Sequence, residues 1–202
     1  MKNTFIPIAL HFWNIVQLLV EQMQTSGNKW SIYADVNEDE SQEEEEEEEE
    51  EKRINEIFTR NDNNIRIPVM FNFYHGLELF MKGLLELENI SLDKTNHNLK
   101  DLYKIIKENE SRYPVSLIQV LKKHIYNQKS YNPFFKDNDM NVNDFYIGLK
   151  YPQNRDGSKK YNYASIRGKQ EQTLKIYLAI NDAIIELKEE MQKWRLSKND
   201  NG

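Results

Sequence analysis

His75, Glu78 and Lys82 fall within one narrow arc of the stretch PVMFNFYHGLELFMKGLLELE, Pro68 to Glu88, when positions advance about 100° each along a helix. The residues around them are mostly apolar, so three ionisable groups on one stripe need a physical reason. Two reasons compete. Glu78 and Lys82, spaced i to i+4 in the favourable order, form an ordinary pair worth about 0.2–0.5 kcal/mol, with His75 at its wet edge. Alternatively, the stripe faces a polar cleft or a subunit interface, where a carboxylate and an ammonium hold other groups in place. Other chemistries have little to build on. The chain has no cysteine, which excludes disulfides and thiolate metal sites and fits a cytoplasmic protein. Its four histidines are scattered without zinc spacing. No Gly-rich phosphate loop or nucleophile elbow supports a kinase, nucleotidase or hydrolase.

The elements that must position these residues read as helices. Hydrophobic residues make up 39% and charged residues 30%, with seven Gly and five Pro, which suits an all-α domain spanning residues 1–202 better than a turn-rich sheet protein. The amino-terminal MKNTFIPIALHFWNIVQLLVEQM is interrupted by Pro7, His11, Asn14 and Gln17 well short of the ~20 apolar residues a bilayer span needs. It also lacks a small-residue cleavage site. A buried amphipathic helix is expected, with Phe5, Ala9, Phe12, Val16, Leu19 and Met23 as its inner stripe and Ser26-Gly27-Asn28 as its end. Asn61–Asn64 reads as a loop, Pro68 as a residue of the first turn of the central helix, and Asn89 as the end of that helix. After a polar connection containing His97, Leu99, Leu102, Tyr103 and Ile106 mark a short helix. Pro114 opens another, with Leu117, Ile118, Leu121 and Ile125 inside.

Charge divides the chain unevenly. Twelve acidic and no basic residues lie between Glu38 and Glu51, so a net charge of −6 overall becomes +6 for the remainder. The sequence describes a basic body with an acidic low-complexity insertion at 38–51, read as a solvated linker that could compete with phosphate-rich partners. Before it, Trp30, Tyr33 and Val36 mark a short anchored segment. After it, Ile54, Ile57 and Phe58 could dock a last helical turn.

Tyr131 to Tyr163 breaks the helical rhythm, interleaving tyrosines and phenylalanines with Lys136, Lys150, Arg155, Lys159 and Lys160. Loops longer than about 12–15 residues are uncommon unless functional or disordered. The rings either pin this excursion onto the helices or, with the cations, contact a nucleic acid through Lys150, Arg155, Lys159, Lys160 and Tyr163. The final helix carries two apolar stripes: Leu174, Tyr177, Leu178, Ile184, Ile185 and Met191, beside Ile176, Ile180, Ala183, Leu187 and Trp194. It is therefore central to the bundle or shared with a second subunit in a homodimer.

In order and spacing, a helix reading HGLELFMKGLL, a link reading NHNLKDL, and LKYPQNRDGSKKYNY before a long final helix resemble the HEPN superfamily of small helical bundles. The resemblance covers roughly Pro68 to the end of the final helix. It implies a bundle of about five to six helices with a long aromatic-basic loop before the last one. It also implies a dimer-assembled site, no cofactor or metal, and metal-independent RNA cleavage in toxin–antitoxin or defence systems. Glu78 and Lys82 match the family's Glu, three residues, Lys or Arg element. Catalytic members add an Arg, then four to six intervening residues, then His. Here Arg155 precedes Asp156, and Lys160, Tyr161 and Asn162 stand where the His would be.

In the cleavage the resemblance implies, a 2′-hydroxyl attacks the adjacent phosphate, so a base must take its proton while a cation stabilises the charge on phosphorus. Arg155 suits the second task. For the first, His75 or Tyr161 would replace the missing histidine. Tyrosine, with a reference pKa of about 10, needs a strong perturbation to act as a base. His97, at a helix entrance, is read either as a local capping residue or as a third candidate. Some family members are silenced when a partner nucleotidyltransferase adenylylates a Tyr near the motif, a neighbourhood shared by Tyr161 and Tyr163. Three functions remain open: a ribonuclease; a non-catalytic module binding RNA, a nucleotide or a protein partner such as an antitoxin; and a helical interaction domain with no nucleic-acid role.

Overall fold

A computed structural model describes residues 4–25, 62–91, 97–127, 132–154, 156–167 and 170–199. The aromatic segment from Trp30 to Val36, the acidic insertion at 38–51, the docking residues Ile54 to Phe58 and Arg155 lie outside them. The described residues are all-α: α1 (Phe5–Thr25), α2 (Asp62–Leu87), α3 (Leu99–Glu108), α4 (Val115–Tyr126), α5 (Pro133–Asp137), α6 (Phe145–Gly148), α7 (Ala164–Arg167) and α8 (Gln170–Asn199). Among them, no helix is long and apolar enough to cross a membrane.

The first helix lies antiparallel along α2 in the most extensive pairing of the bundle. Its inner stripe is Ile6, Ala9, Trp13, Val16, Val20 and Met23, one position on from the expected one at Phe5, Phe12 and Leu19. Both faces of α1 are apolar, so its sequence pattern does not choose between them. Two glycines of α2 make the choice. A Cβ on Gly76 would sit 2.5 Å from Trp13 Nε1, and one on Gly83 2.5 Å from Ile6 Cγ1. Only a hydrogen at those positions admits the indole and the isoleucine, and Trp13 Nε1 then donates to the Phe73 carbonyl at 3.2 Å.

The second helix begins earlier than expected, at Asp62, and Pro68 stands inside it. Proline removes one i to i−4 bond. The turn ahead of it is anchored instead by Arg66, which is fully buried and donates from Nη1 to the Ile166 carbonyl at 3.4 Å. At the other end Asn89 adopts φ 55°, Asn89 N–H donates to Glu86 and Ile90 N–H to Leu85. These two bonds and the left-handed asparagine close the helix as a Schellman motif.

Helices α3 and α4 bury the stripes their sequences indicate, with Val120 and His124 added on α4. The final helix touches both α1 and α4. Most of its two stripes is consumed by this double contact: Ile176, Tyr177, Ile180, Ala183, Ile184, Leu187, Met191 and Trp194 are buried, whereas Ile185 and Leu196 remain exposed. The central position thus accounts for the apolar excess within one chain. Trp194 Nε1 secures the far end of α8 by donating to the Arg112 carbonyl at 2.9 Å.

The excursion before α8 holds regular structure in short pieces, α5, a 3-10 turn over Val142–Asp144, and α6. Phe134, Phe135 and Phe145 are buried and anchor it, the last two against Tyr74 of α2 at 5.2 and 5.5 Å between ring centroids. Tyr146 and Tyr151 stay exposed.

Candidate functional site

On α2, Glu78 is 1% exposed and Lys82 5%, so this pair belongs to the interior rather than to a solvated face. Lys82 Nζ donates to Glu78 Oε1 at 2.8 Å. The same oxygen lies 2.9 Å from Nδ1 of His97, which arrives from the residues preceding α3. His75 stands one turn before Glu78, its Nδ1 3.9 Å from Glu78 Oε2, beyond hydrogen-bonding reach. Both of those atoms are buried and have no hydrogen-bond partner among the described residues. The His75 ring meets Phe12 in a T-shaped contact at 4.6 Å between centroids and stacks on Phe71 at 5.9 Å.

Burial opposes a charge on Glu78, but His75, Lys82 and His97 together outweigh it and hold its carboxyl down to about 2. A carboxylate ionised throughout the neutral range accepts only, so Nδ1 of His97 carries the hydrogen between them. The remaining nitrogen, Nε2, belongs to a side chain that is 69% exposed. A buried carboxylate therefore fixes the orientation and tautomer of an imidazole whose other face is open to solvent, the arrangement that prepares a histidine to accept a proton.

Local structure keeps His97 in place. Asn98 caps α3 by accepting from Asp101 N–H at 3.1 Å, and Asn143 Oδ1 accepts from Lys100 N–H at 3.0 Å. Asn143 belongs to the 3-10 turn, which is itself closed by a capping box between Asn141 and Asp144. The start of α3 is thus tied both to its own cap and to the excursion.

The other residues singled out in the sequence have different surroundings. The backbone N–H of Tyr161 donates to Pro152 O at 2.9 Å. Burial raises the pKa of its hydroxyl, with Asp144 and Asp156 adding to the effect, so the perturbation runs against the phenolate that a base would need. The Tyr163 hydroxyl shares its one hydrogen between the carbonyls of Gly148 at 2.6 Å and Tyr151 at 2.8 Å, and its ring stacks on Phe134 at 5.3 Å, which pins the excursion. Lys159 Nζ donates to the Asn138 carbonyl. Lys160 is exposed, paired through its backbone with Gln153. Lys150 Nζ lies over Tyr146 at 5.2 Å and over Tyr151 at 5.5 Å. His75, Glu78 and Lys82 thus form one cluster. His97, which capping alone would have explained, is its fourth member.

A groove of about 800 Å³ runs between α3 and α4 and is lined by Tyr103, Lys107, Tyr113, Ile118, Lys122 and Tyr126. None of the four cluster residues lines it. Among the described residues, no group of three or more His, Cys, Asp or Glu side chains is arranged to hold a metal ion. No protein-family model matches the chain, and searches of curated proteins and of solved structures give no significant match.

Proposed function

We propose that the protein is a metal-independent endoribonuclease of HEPN-like type in which His97 is the general base and Glu78 its positioning residue. The observation that carries this reading is the 2.9 Å contact between the buried Glu78 carboxylate and Nδ1 of an otherwise exposed His97. In the reaction, Nε2 of His97 takes the proton of a ribose 2′-hydroxyl as its oxygen attacks the adjacent phosphorus. The bond to the 5′-oxygen breaks and that oxygen takes a proton from water, leaving a 2′,3′-cyclic phosphate and a 5′-hydroxyl, while the hydroxide so formed takes the proton from His97 and restores the base. Arg155, by the resemblance of its surroundings to the family motif, supplies the cation for the phosphorane charge. Lys82 keeps Glu78 ionised and in place. His75, with Nδ1 buried and its ring packed against Phe12 and Phe71, is placed less well than His97 to collect a proton from a substrate.

The test is incubation of the purified protein with total cellular RNA in the presence of a chelator, beside His97→Ala, His75→Ala and Arg155→Ala. A positioned base contributes roughly 10²–10⁴-fold, so His97→Ala is expected to lose that factor while His75→Ala retains most activity. Unchanged cleavage in His97→Ala refutes the assignment. A second reading, a non-catalytic RNA-binding module acting with a protein partner in a toxin–antitoxin or defence assembly, is favoured by Tyr161. This residue occupies a motif-histidine position with its hydroxyl pushed away from ionisation. RNA binding without cleavage by the wild-type protein selects it.

A further inference from the structure

Beside the His75–Glu78 cluster, the excursion presents two tyrosine rings with one ammonium over both. Tyr146 is 40% and Tyr151 50% exposed, unlike the buried phenylalanines that anchor the same segment. Lys150 stands over both rings, at 5.2 and 5.5 Å from their centroids. The ledge is stiffly mounted: Tyr151 N–H donates to Ile147 O at 2.9 Å, the Tyr151 carbonyl accepts from Tyr163 at 2.8 Å, and Tyr146 packs on Phe145 at 5.8 Å. It is also continuous with the cluster. Tyr146 contacts Phe71 at 5.4 Å, Phe71 stacks on His75 at 5.9 Å, and His75 faces Glu78.

We infer that Tyr146, Lys150 and Tyr151 form a stacking ledge for unpaired nucleobases of single-stranded RNA, delivering the strand to the imidazole of His97. Exposed rings cost little when they already lie in fixed positions, and every base has a π-face to lay on them. The Lys150 ammonium over both rings supplies the charge that a backbone phosphate needs. A duplex hides its base faces, so the ledge selects single strands. This inference rests on the ribonuclease reading for its substrate but makes a separate claim about binding.

The experiment is fluorescence anisotropy with a labelled single-stranded RNA and with its duplex, on wild type, Tyr146→Ala, Tyr151→Ala and the two Phe counterparts, alongside cleavage by wild type and His97→Ala. Stacking on one ring predicts that each Ala variant weakens single-strand binding by about 5- to 150-fold, that Phe restores it, and that duplex binding barely changes. Equal binding by the Ala and wild-type proteins overturns the ledge, as does an equal loss for single strand and duplex, or a wild type that binds no single strand. If ledge variants bind normally while cleavage still depends on His97, the ledge falls and the ribonuclease reading stands. If binding depends on the ledge while His97→Ala cleaves as wild type or nothing cleaves, the ledge stands and the ribonuclease reading falls.

Discussion

Replacing Glu78 by Leu distinguishes an ordinary helix-surface pair from a built site. On a solvated face, losing an i to i+4 pair costs about 0.2–0.5 kcal/mol. Here both partners are buried, so Glu78→Leu strands the Lys82 ammonium without its carboxylate and should cost about 3–5 kcal/mol. Proton linkage leads to a similar figure. The Glu78 carboxyl lies near 2 in the fold against 4.5 ordinarily, and each pH unit of difference is worth about 1.4 kcal/mol, or about 3 kcal/mol in all. Because the folded pKa is the lower one, this stability is present above about pH 4.5 and is lost as pH falls toward 2. Urea unfolding at pH 7 of wild type, Glu78→Leu and Glu78→Leu/Lys82→Met reads the effect directly. The double variant removes both charges and should recover most of the loss, yet it should remain inactive on RNA because nothing orients His97. If Glu78→Leu fails to fold, the double variant still carries the test. A Glu78→Leu protein within about 1 kcal/mol of wild type would refute the buried-pair argument.

Three further outcomes follow from single features. Burial, with Lys123 adding to it, pushes His124 down to about 3, so between about pH 6.5 and 3 the unfolded chain takes a proton that the folded one refuses. Stability should fall by about 2 kcal/mol between pH 7 and 5. His124→Phe should flatten that slope in denaturant titrations. Gly76→Ala places a methyl against the Trp13 indole and should cost about 1–3 kcal/mol, more than the ~1 kcal/mol that alanine adds in helix propensity, read as a lowered Tm. Deleting residues 38–51 turns the net charge from −6 to +6. It should tighten RNA binding and steepen its dependence on salt, measured by anisotropy across a salt series.

Helix content, the stripes of α3 and α4, and the common arc of His75, Glu78 and Lys82 were legible in the sequence because each depends on neighbours three or four positions away. Periodicity has no such hold where a helix is apolar on two sides. On α1 it pointed to Phe12 and Leu19. The notch at Gly76, a feature of another helix, turned Trp13 and Val20 inward instead. On α8 two stripes left a central position and a subunit interface equally open, and the neighbours α1 and α4 consumed most of both. Pro68 suggested a helix start, but Arg66 and its distant acceptor at Ile166 kept the preceding turn helical.

The cluster around Glu78 shows the same division. Composition and spacing determined that a carboxylate, an ammonium and an imidazole share one side of α2. That the pair is buried, and that His97 closes on it from 19 residues away, was decided only when the chain turned back at Asn89 and Asn98 capped the next helix. Local pattern records what a residue's own element presents. The partner that sets its charge, burial and chemistry arrives from another element, and only packing brings the two together.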